Sequence, residues 1–411
     1  MKYILIIGDG MADDPLESLG GKTPLEAAQK PFMDELAKQG IVGLVQTIPD
    51  GFAPGSDTAI MPIFGCNPRK YYSGRAPLEL AAAGRVLPEG AAAYRCNMVT
   101  LEEEGGKPMG ERRIISHSAG SIEGAESDEL IEWLFSHPDF APLAEAAGMS
   151  VVPGSSFRHL AIQQGGDVEE ICLAPPHDHL DEVCGPLLPH GNANAAVLLA
   201  LMERAMELLP EHPVNVKRRA EGRLPANCVW FWAEGKGAVL PNFPARYGAT
   251  GGVISAVPLC HGIARLVGLE PISVEGATGE WDTNYAGKAE AAARCLEKND
   301  FVAVHVEAPD EATHNHDLEH KISSIGNISE DVLRSLCGAL RARNEAFRIL
   351  VLSDHRTYMK NGAHGGAPVP YLLFDSRDTE HGCGLPYSEA SGEKGPFLAD
   401  GTQLMPALFQ L

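Results

Sequence analysis

The sequence predicts an α/β protein: a mainly parallel sheet covered by helices, with a smaller α/β domain inserted into it. Three observations predict this. Short apolar runs bounded by turn signals recur along the chain, which suits strands buried on both faces. Capped helical patterns lie between those runs, and such alternation marks a doubly wound core. A stretch in the middle, rich in Gly, Pro and charge, interrupts the alternation.

The first apolar run is Tyr3 to Ile7, which leads into Gly8-Asp9-Gly10. Thr23-Pro24-Leu25-Glu26 then reads as a capping box with Pro at the first helical position. Its helix is expected to reach Lys38, with Gly40 near the C-cap. Pro54-Gly55-Ser56-Asp57-Thr58-Ala59 precedes an apolar helical run, and local chemistry alone makes Ser56 an N-cap. The interrupting stretch is assigned to an inserted domain at 74–189, leaving 1–73 and 190–411 as the core. It contains Glu102-Glu103-Glu104, a Gly105-Gly106 turn and Pro175-Pro176-His177-Asp178-His179. Ala193 to Leu209 and Ala286 to Lys298 read as helices. Further strands are expected at Cys228 to Trp232, Gly252 to Val257, Phe301 to Val306, Ile349 to Leu352 and Pro370 to Phe374.

Composition excludes several functions. The chain has 411 residues, 44% of them apolar, enough for a sizeable core. Its net charge of −22 leaves no basic footprint for nucleic acid. The nine cysteines are scattered and form no C-x-x-C pair, a pattern of reduced thiols in a cytosolic protein. No apolar run approaches the ~20 residues that span a bilayer. The first run is too short for a signal peptide. A cytoplasmic protein with no membrane partner is expected. Gly21-Lys22-Thr23 is not a Walker A loop, because Leu16 stands where the first Gly belongs. Gly8-Asp9-Gly10 is not a dinucleotide fingerprint, because Asp13 stands where its third Gly belongs.

What remains is a set of acids and imidazoles at strand ends. Ligands of open parallel sheets bind beyond the carboxyl ends of the strands. Asp9, Asp310 and Asp354 each follow an expected strand. Asp310 and His314 are four apart, so one helical turn puts both on one face. His355 adjoins Asp354, and His364 follows in a Gly-rich segment. Oxygen and imidazole donors together suit Mn²⁺, Zn²⁺ or a related ion. Coordination is one way to activate a serine hydroxyl, which makes Ser56 a candidate nucleophile for phosphoryl transfer between two ions.

The chain resembles the cofactor-independent phosphoglycerate mutases, in their archaeal-type branch of the alkaline phosphatase superfamily. The resemblance is carried by Gly8-Asp9-Gly10, Gly21 to Ala27, Pro54 to Ala59, Gly65-Cys66-Asn67-Pro68, Gly74 to Glu79, Asp310 to His314, Ser353-Asp354-His355 and Ala367 to Pro370. It implies an alkaline-phosphatase-like core and a glycolytic and gluconeogenic isomerase acting on a small phosphorylated metabolite. One ion would be held by Asp9, Ser56, Asp354 and His355, the other by Asp310, His314 and His364. The implied cofactors are two divalent ions, Mn²⁺ first, with Mg²⁺, Zn²⁺ or Co²⁺ as alternatives. Ser56 would carry the phosphoryl group as a phosphoserine. The insert would hold the glycerate part and close over the core, with Arg75, Arg95, Asn97, Arg158 and His159 as candidate contacts. Two segments depart from the family pattern: Asn315-His316-Asp317 after His314, and Ile115 to Gly120. They keep a homoserine kinase-like phosphotransferase open as an alternative, and attack of water on the phosphoserine would make the chain a metal-dependent phosphatase.

Overall fold

The computed structural model describes residues 1–103, 105–154, 156–237 and 239–410. Two compact units emerge. The first comprises Met1–Tyr72 with Val239–Leu411, and the second is Ser73–Ala238.

The first unit is built on an eight-stranded sheet. Across it run Phe397–Leu398, Ile41–Val45, Val369–Asp375, Phe347–Leu352, Lys2–Gly8, Phe301–Val306, Gly251–Ile254 and Glu270–Ile272. Neighbours pair in parallel, except that Val369–Asp375 is antiparallel to both of its own. Phe301–Val306 and Phe347–Leu352 are buried at every residue, as strands covered on both faces must be. The register sets the functional edge. Ile7 pairs with Leu352 and Gly8 with Val306, so three adjacent strands end together at the same rim.

The expected helix from Thr23 to Lys38 is two helices. Thr23 makes the capping box with Glu26, but the first helix is only Pro24–Ala27. The second is Pro31–Gln39, with Gly40 as its C-cap. Pro31 lacks an N–H and disfavours helical backbone at the residue before it, so the chain breaks at Lys30.

The second unit ends at residue 238 rather than 189. Ala193–Leu208 and Cys228–Lys236 therefore belong to it and not to the core. Cys228–Lys236 runs antiparallel to Ala91–Leu101, in a sheet with Ile114–Ser116, Arg158–Gln164 and Met149–Val152. Leu198, Leu201 and Met202 pack in the same apolar core as Trp230 and Phe231. An apolar run reports burial and not which sheet buries it, so periodicity could not place this strand. Among the described residues no helix is long and apolar enough to cross a membrane.

Beneath the rim of the first unit lies a buried ion pair. Lys321 is fully buried, and its Nζ donates to Asp13 Oδ2 at 2.9 Å and to the Thr357 carbonyl at 2.7 Å. Asp13 also accepts the N–H of Asp14 and of Met359. Removing one partner strands a buried charge. Lys321→Met is expected to lower the unfolding free energy by about 3–5 kcal/mol, read from denaturant curves of the ion-free protein. An unchanged midpoint would show that the pair contributes nothing.

Candidate active site

Each donor reaches the rim by a local device. Asp9 follows Lys2–Gly8 directly. Asp310 lies in the first turn of the short helix Ala308–His314, which brings His314 to the same face one turn later. Asp354 and His355 follow Phe347–Leu352. A small hairpin then pairs Arg356–Tyr358 with Ala363–Gly365, placing His364 directly opposite Thr357. All seven expected core positions therefore meet in the first unit.

Ser56 is not a cap. Gly55 is the N-cap of Ser56–Ile63, and the Ser56 hydroxyl makes no capping bond. Its Oγ instead lies 3.4 Å from Asp9 Oδ2 and 3.3 Å from His355 Nε2.

The donor atoms form two groups, Asp9–Asp354–His355 and Asp310–His355–His364, each within 4.8 Å. His355 appears in both, yet its Nδ1 is engaged by Thr357 at 3.1 Å. Its Nε2 lies 3.5 Å from Asp9 Oδ1 and 3.4 Å from Asp354 Oδ2, which places that nitrogen with the first group. In the second group, His314 Nε2 is 3.0 Å from Asp310 Oδ2 and 2.9 Å from His364 Nε2.

These donors fit divalent cations. Asp354 Oδ1 accepts the N–H of Gly10 and of His355, but its buried Oδ2 accepts no hydrogen bond. Asp9 Oδ1 is likewise buried without one. Orphaned carboxylate oxygens beside imidazole nitrogens are what a cation with mixed O and N ligation requires. The electrostatics agree. Burial pushes the Asp9 carboxyl well above the ordinary range, and Asp354, Asp310 and Glu307 add to the shift. Burial also drives Asp310 upward, but bonds from His314 and His364 outweigh it and hold that carboxyl low.

His305 carries a role that its sequence position hid. It is the one imidazole within the apolar strand Phe301–Val306, and it is 1% exposed. Its Nε2 lies 3.0 Å from Asp9 Oδ2, while Nδ1 meets Ser255 Oγ at 3.1 Å. It orients Asp9 so that Oδ1 stays free. A polar residue in a fully apolar strand was the available signal.

The second unit sorts the five expected substrate contacts. Arg75, Arg95 and Arg158 gather around Glu79. Arg95 Nε donates to Glu79 Oε2 at 2.9 Å and Arg75 Nε to Oε1 at 3.3 Å. The Arg95 guanidinium lies 4.6 Å over the Trp232 ring. Arg158 Nε has no partner, and burial together with Arg95 pulls that guanidinium down to about 10. Three guanidiniums against one carboxylate leave a positive cluster suited to an anion. Asn97 and His159 do something else. Asn97 is fully buried, donating to the His117 carbonyl and accepting from Trp232 Nε1. His159 is also fully buried, with Ser127 Oγ on Nε2 and the Gly154 N–H on Nδ1. Both side chains are engaged by neighbours within the second unit.

Known proteins resemble this chain over nearly its whole length. The family profile of 2,3-bisphosphoglycerate-independent phosphoglycerate mutase matches residues 37–215. A probable mutase of that name from Geobacter sulfurreducens is 41% identical over 409 residues, covering 98% of both chains. The Methanothrix thermoacetophila mutase is 42% identical over 92% of this chain and 91% of its own. Among solved structures, a Pyrococcus horikoshii protein superposes with a TM-score of 0.79 at 28% identity, covering 100% of this chain and 98% of the other. The cofactor-independent phosphoglycerate mutase of Thermoplasma acidophilum gives 0.69 at 27% identity, over 100% and 99%. Fold and relatives thus define a mixed α/β enzyme whose rim offers a donor set that fits cations. The chain belongs to the 2,3-bisphosphoglycerate-independent phosphoglycerate mutase family, a family of isomerases.

The buried His159 generates a pH prediction. Burial pulls its imidazole down from the ordinary 6.5 to about 4. The unfolded chain therefore binds the proton first, and stability present above pH 6.5 is lost as pH falls toward 4. Between pH 7 and pH 5 this loss is on the order of 2 kcal/mol. His159→Gln is expected to remove that increment from the difference between denaturant curves at the two pH values. An identical pH dependence in both proteins would refute the assignment.

Proposed function

We propose that this chain interconverts 3-phosphoglycerate and 2-phosphoglycerate by passing the phosphoryl group through Ser56. The observation that carries the reading is the Ser56 hydroxyl. It sits at the start of a helix without capping it and faces the orphaned carboxylates. Asp9, Ser56, Asp354 and His355 are proposed to hold one divalent cation. Asp310, His314 and His364 are proposed to hold the second, with Mn²⁺ preferred. When bound, such ions would neutralise phosphoryl charge and ease ionisation of the serine hydroxyl.

The protein's own groups then have defined tasks. Ser56 Oγ loses its proton and attacks phosphorus as the bond to the C3 oxygen breaks, and the departing C3 oxygen gains a proton, leaving glycerate and a phosphoserine. The C2 hydroxyl loses its proton and attacks that phosphorus in return, as the bond to Ser56 Oγ breaks and that oxygen regains a proton. No external donor is consumed. Asp9 Oδ2, 3.4 Å from Ser56 Oγ, is the carboxylate oxygen placed to take the hydroxyl hydrogen. His305 holds Asp9 in that pose. The N-terminal amides of Ser56–Ile63 favour an incoming phosphate. Arg75, Arg95 and Arg158 are proposed to bind the anionic substrate, because a guanidinium fork pairs with two oxygens at once.

Purified protein with Mn²⁺ is expected to interconvert the two phosphoglycerates in an enolase-coupled assay. Ser56→Ala is expected to lower kcat by about 10⁴-fold or more, and a strong chelator to abolish turnover until Mn²⁺ is returned. Activity that survives either treatment sinks the mechanism. Inert glycerate phosphates, with phosphohomoserine formed from homoserine and ATP, would make the chain a kinase instead. Arg158→Ala is expected to raise KM by about tenfold or more while changing kcat less. An unaltered KM would remove Arg158 from the substrate site.

A further inference from the structure

Thr357 sits between the two donor groups and is fully buried. Its Oγ1 lies 2.5 Å from Asp310 Oδ1 and 3.1 Å from His355 Nδ1. A hydroxyl has one hydrogen, and a carboxylate oxygen can only accept. The hydrogen therefore goes to Asp310, and a lone pair of Oγ1 faces the imidazole. His355 Nδ1 must then carry a hydrogen itself. A neutral ring protonated there keeps its free lone pair on Nε2. That nitrogen is the one 3.3 Å from Ser56 Oγ and 3.5 Å from Asp9 Oδ1.

We propose that Thr357 is a positioning residue that fixes the His355 tautomer for cation binding and ties that imidazole to Asp310 in the other donor group. The inference rests on the two-ion reading above. The Thr357 carbonyl accepts from Lys321 Nζ at 2.7 Å, and its N–H donates to the Ala12 carbonyl at 3.1 Å. The hydroxyl is therefore pinned through its own backbone. Space around it is closed as well. A Cβ on Gly10, whose φ is +60°, would come within 2.5 Å of both Thr357 Oγ1 and Asp310 Oδ1. Glycine is required there both for its left-handed backbone and for room beside this bond. Partners of this kind orient a metal-ligating imidazole and set its ring position.

Thr357→Val keeps the shape and removes the hydroxyl, whereas Thr357→Ser keeps the hydroxyl and removes the methyl. The test uses both variants and the parent protein, each stripped of ions. Mn²⁺ binding is measured by calorimetry, the fold by denaturant curves, and the His355 tautomer by ¹⁵N-histidine NMR, with the signal assigned from His355→Gln. The parent is expected to bind two Mn²⁺ ions and to show His355 protonated at Nδ1. Thr357→Val is expected to lose about 10–100-fold in affinity at one or both positions, and Thr357→Ser to recover to within about threefold. Thr357→Val with parental affinity, a loss that Ser does not recover, or a parental His355 protonated at Nε2 overturns the proposal. A parent protein that binds no Mn²⁺ overturns the two-ion reading itself, which separates the two failures.

Discussion

Three carboxylates buried together at one rim are the constraint on which the rest of the centre depends. Asp9, Asp354 and Asp310 leave three adjacent parallel strands at matched register and are 1%, 0% and 5% exposed. Two unit charges about 4 Å apart repel by about 4 kcal/mol at an effective dielectric of 20. The fold cannot relieve that by moving the groups, because strand pairing sets where the chain exits. It can only add positive charge, protons or cations. The raised Asp9 carboxyl expresses the same repulsion when burial and its acidic neighbours act alone.

The surrounding residues make sense as responses to this cluster. His314 and His364 converge on Asp310 from a helix turn and from a hairpin. Backbone amides take one oxygen of Asp354, and His305 takes one oxygen of Asp9. In both cases the second oxygen is buried without a hydrogen bond. Half-satisfied buried carboxylates are costly unless something else completes them. That asymmetry is absent from a structural salt-bridge network such as Lys321–Asp13, where the acid's oxygens are met by protein donors.

The second unit handles charge differently. Glu79 binds two guanidiniums directly and lies in the field of the third. Arg95 is stacked over Trp232, whose indole N–H is in turn held by Asn97. The cluster is held by carboxylate and ring contacts and still keeps net positive charge. Asn97 and His159 belong to the scaffold behind it, which is why neighbours in sequence diverge in role. Alternate residues of a strand face opposite sides, so Arg95 and Asn97 share a face that Cys96 does not. Burial then separates the pair by function.

Much of this protein was legible in its sequence. Apolar runs located five of the eight strands in the first unit's sheet, and caps and periodicity located some of the helices. The strand-end acids, the four-residue spacing of Asp310 and His314, and the family motifs named the seven positions that the fold brings together in the first unit. These features are local, and local chemistry is written in consecutive residues. Three matters were decided only in three dimensions. Cys228–Lys236 joined the second unit's sheet, because an apolar strand does not encode its partner. Ser56 yielded the capping position to Gly55 and turned its hydroxyl toward Asp9, which required a contact 47 residues away. His305 and Thr357 gained their roles from bonds to Asp9 and Asp310, separated from them by 296 and 47 residues. Sequence by itself determined which groups could do chemistry here. Only the packed sheet, by matching the ends of distant strands, decided which of them stand within reach of one another.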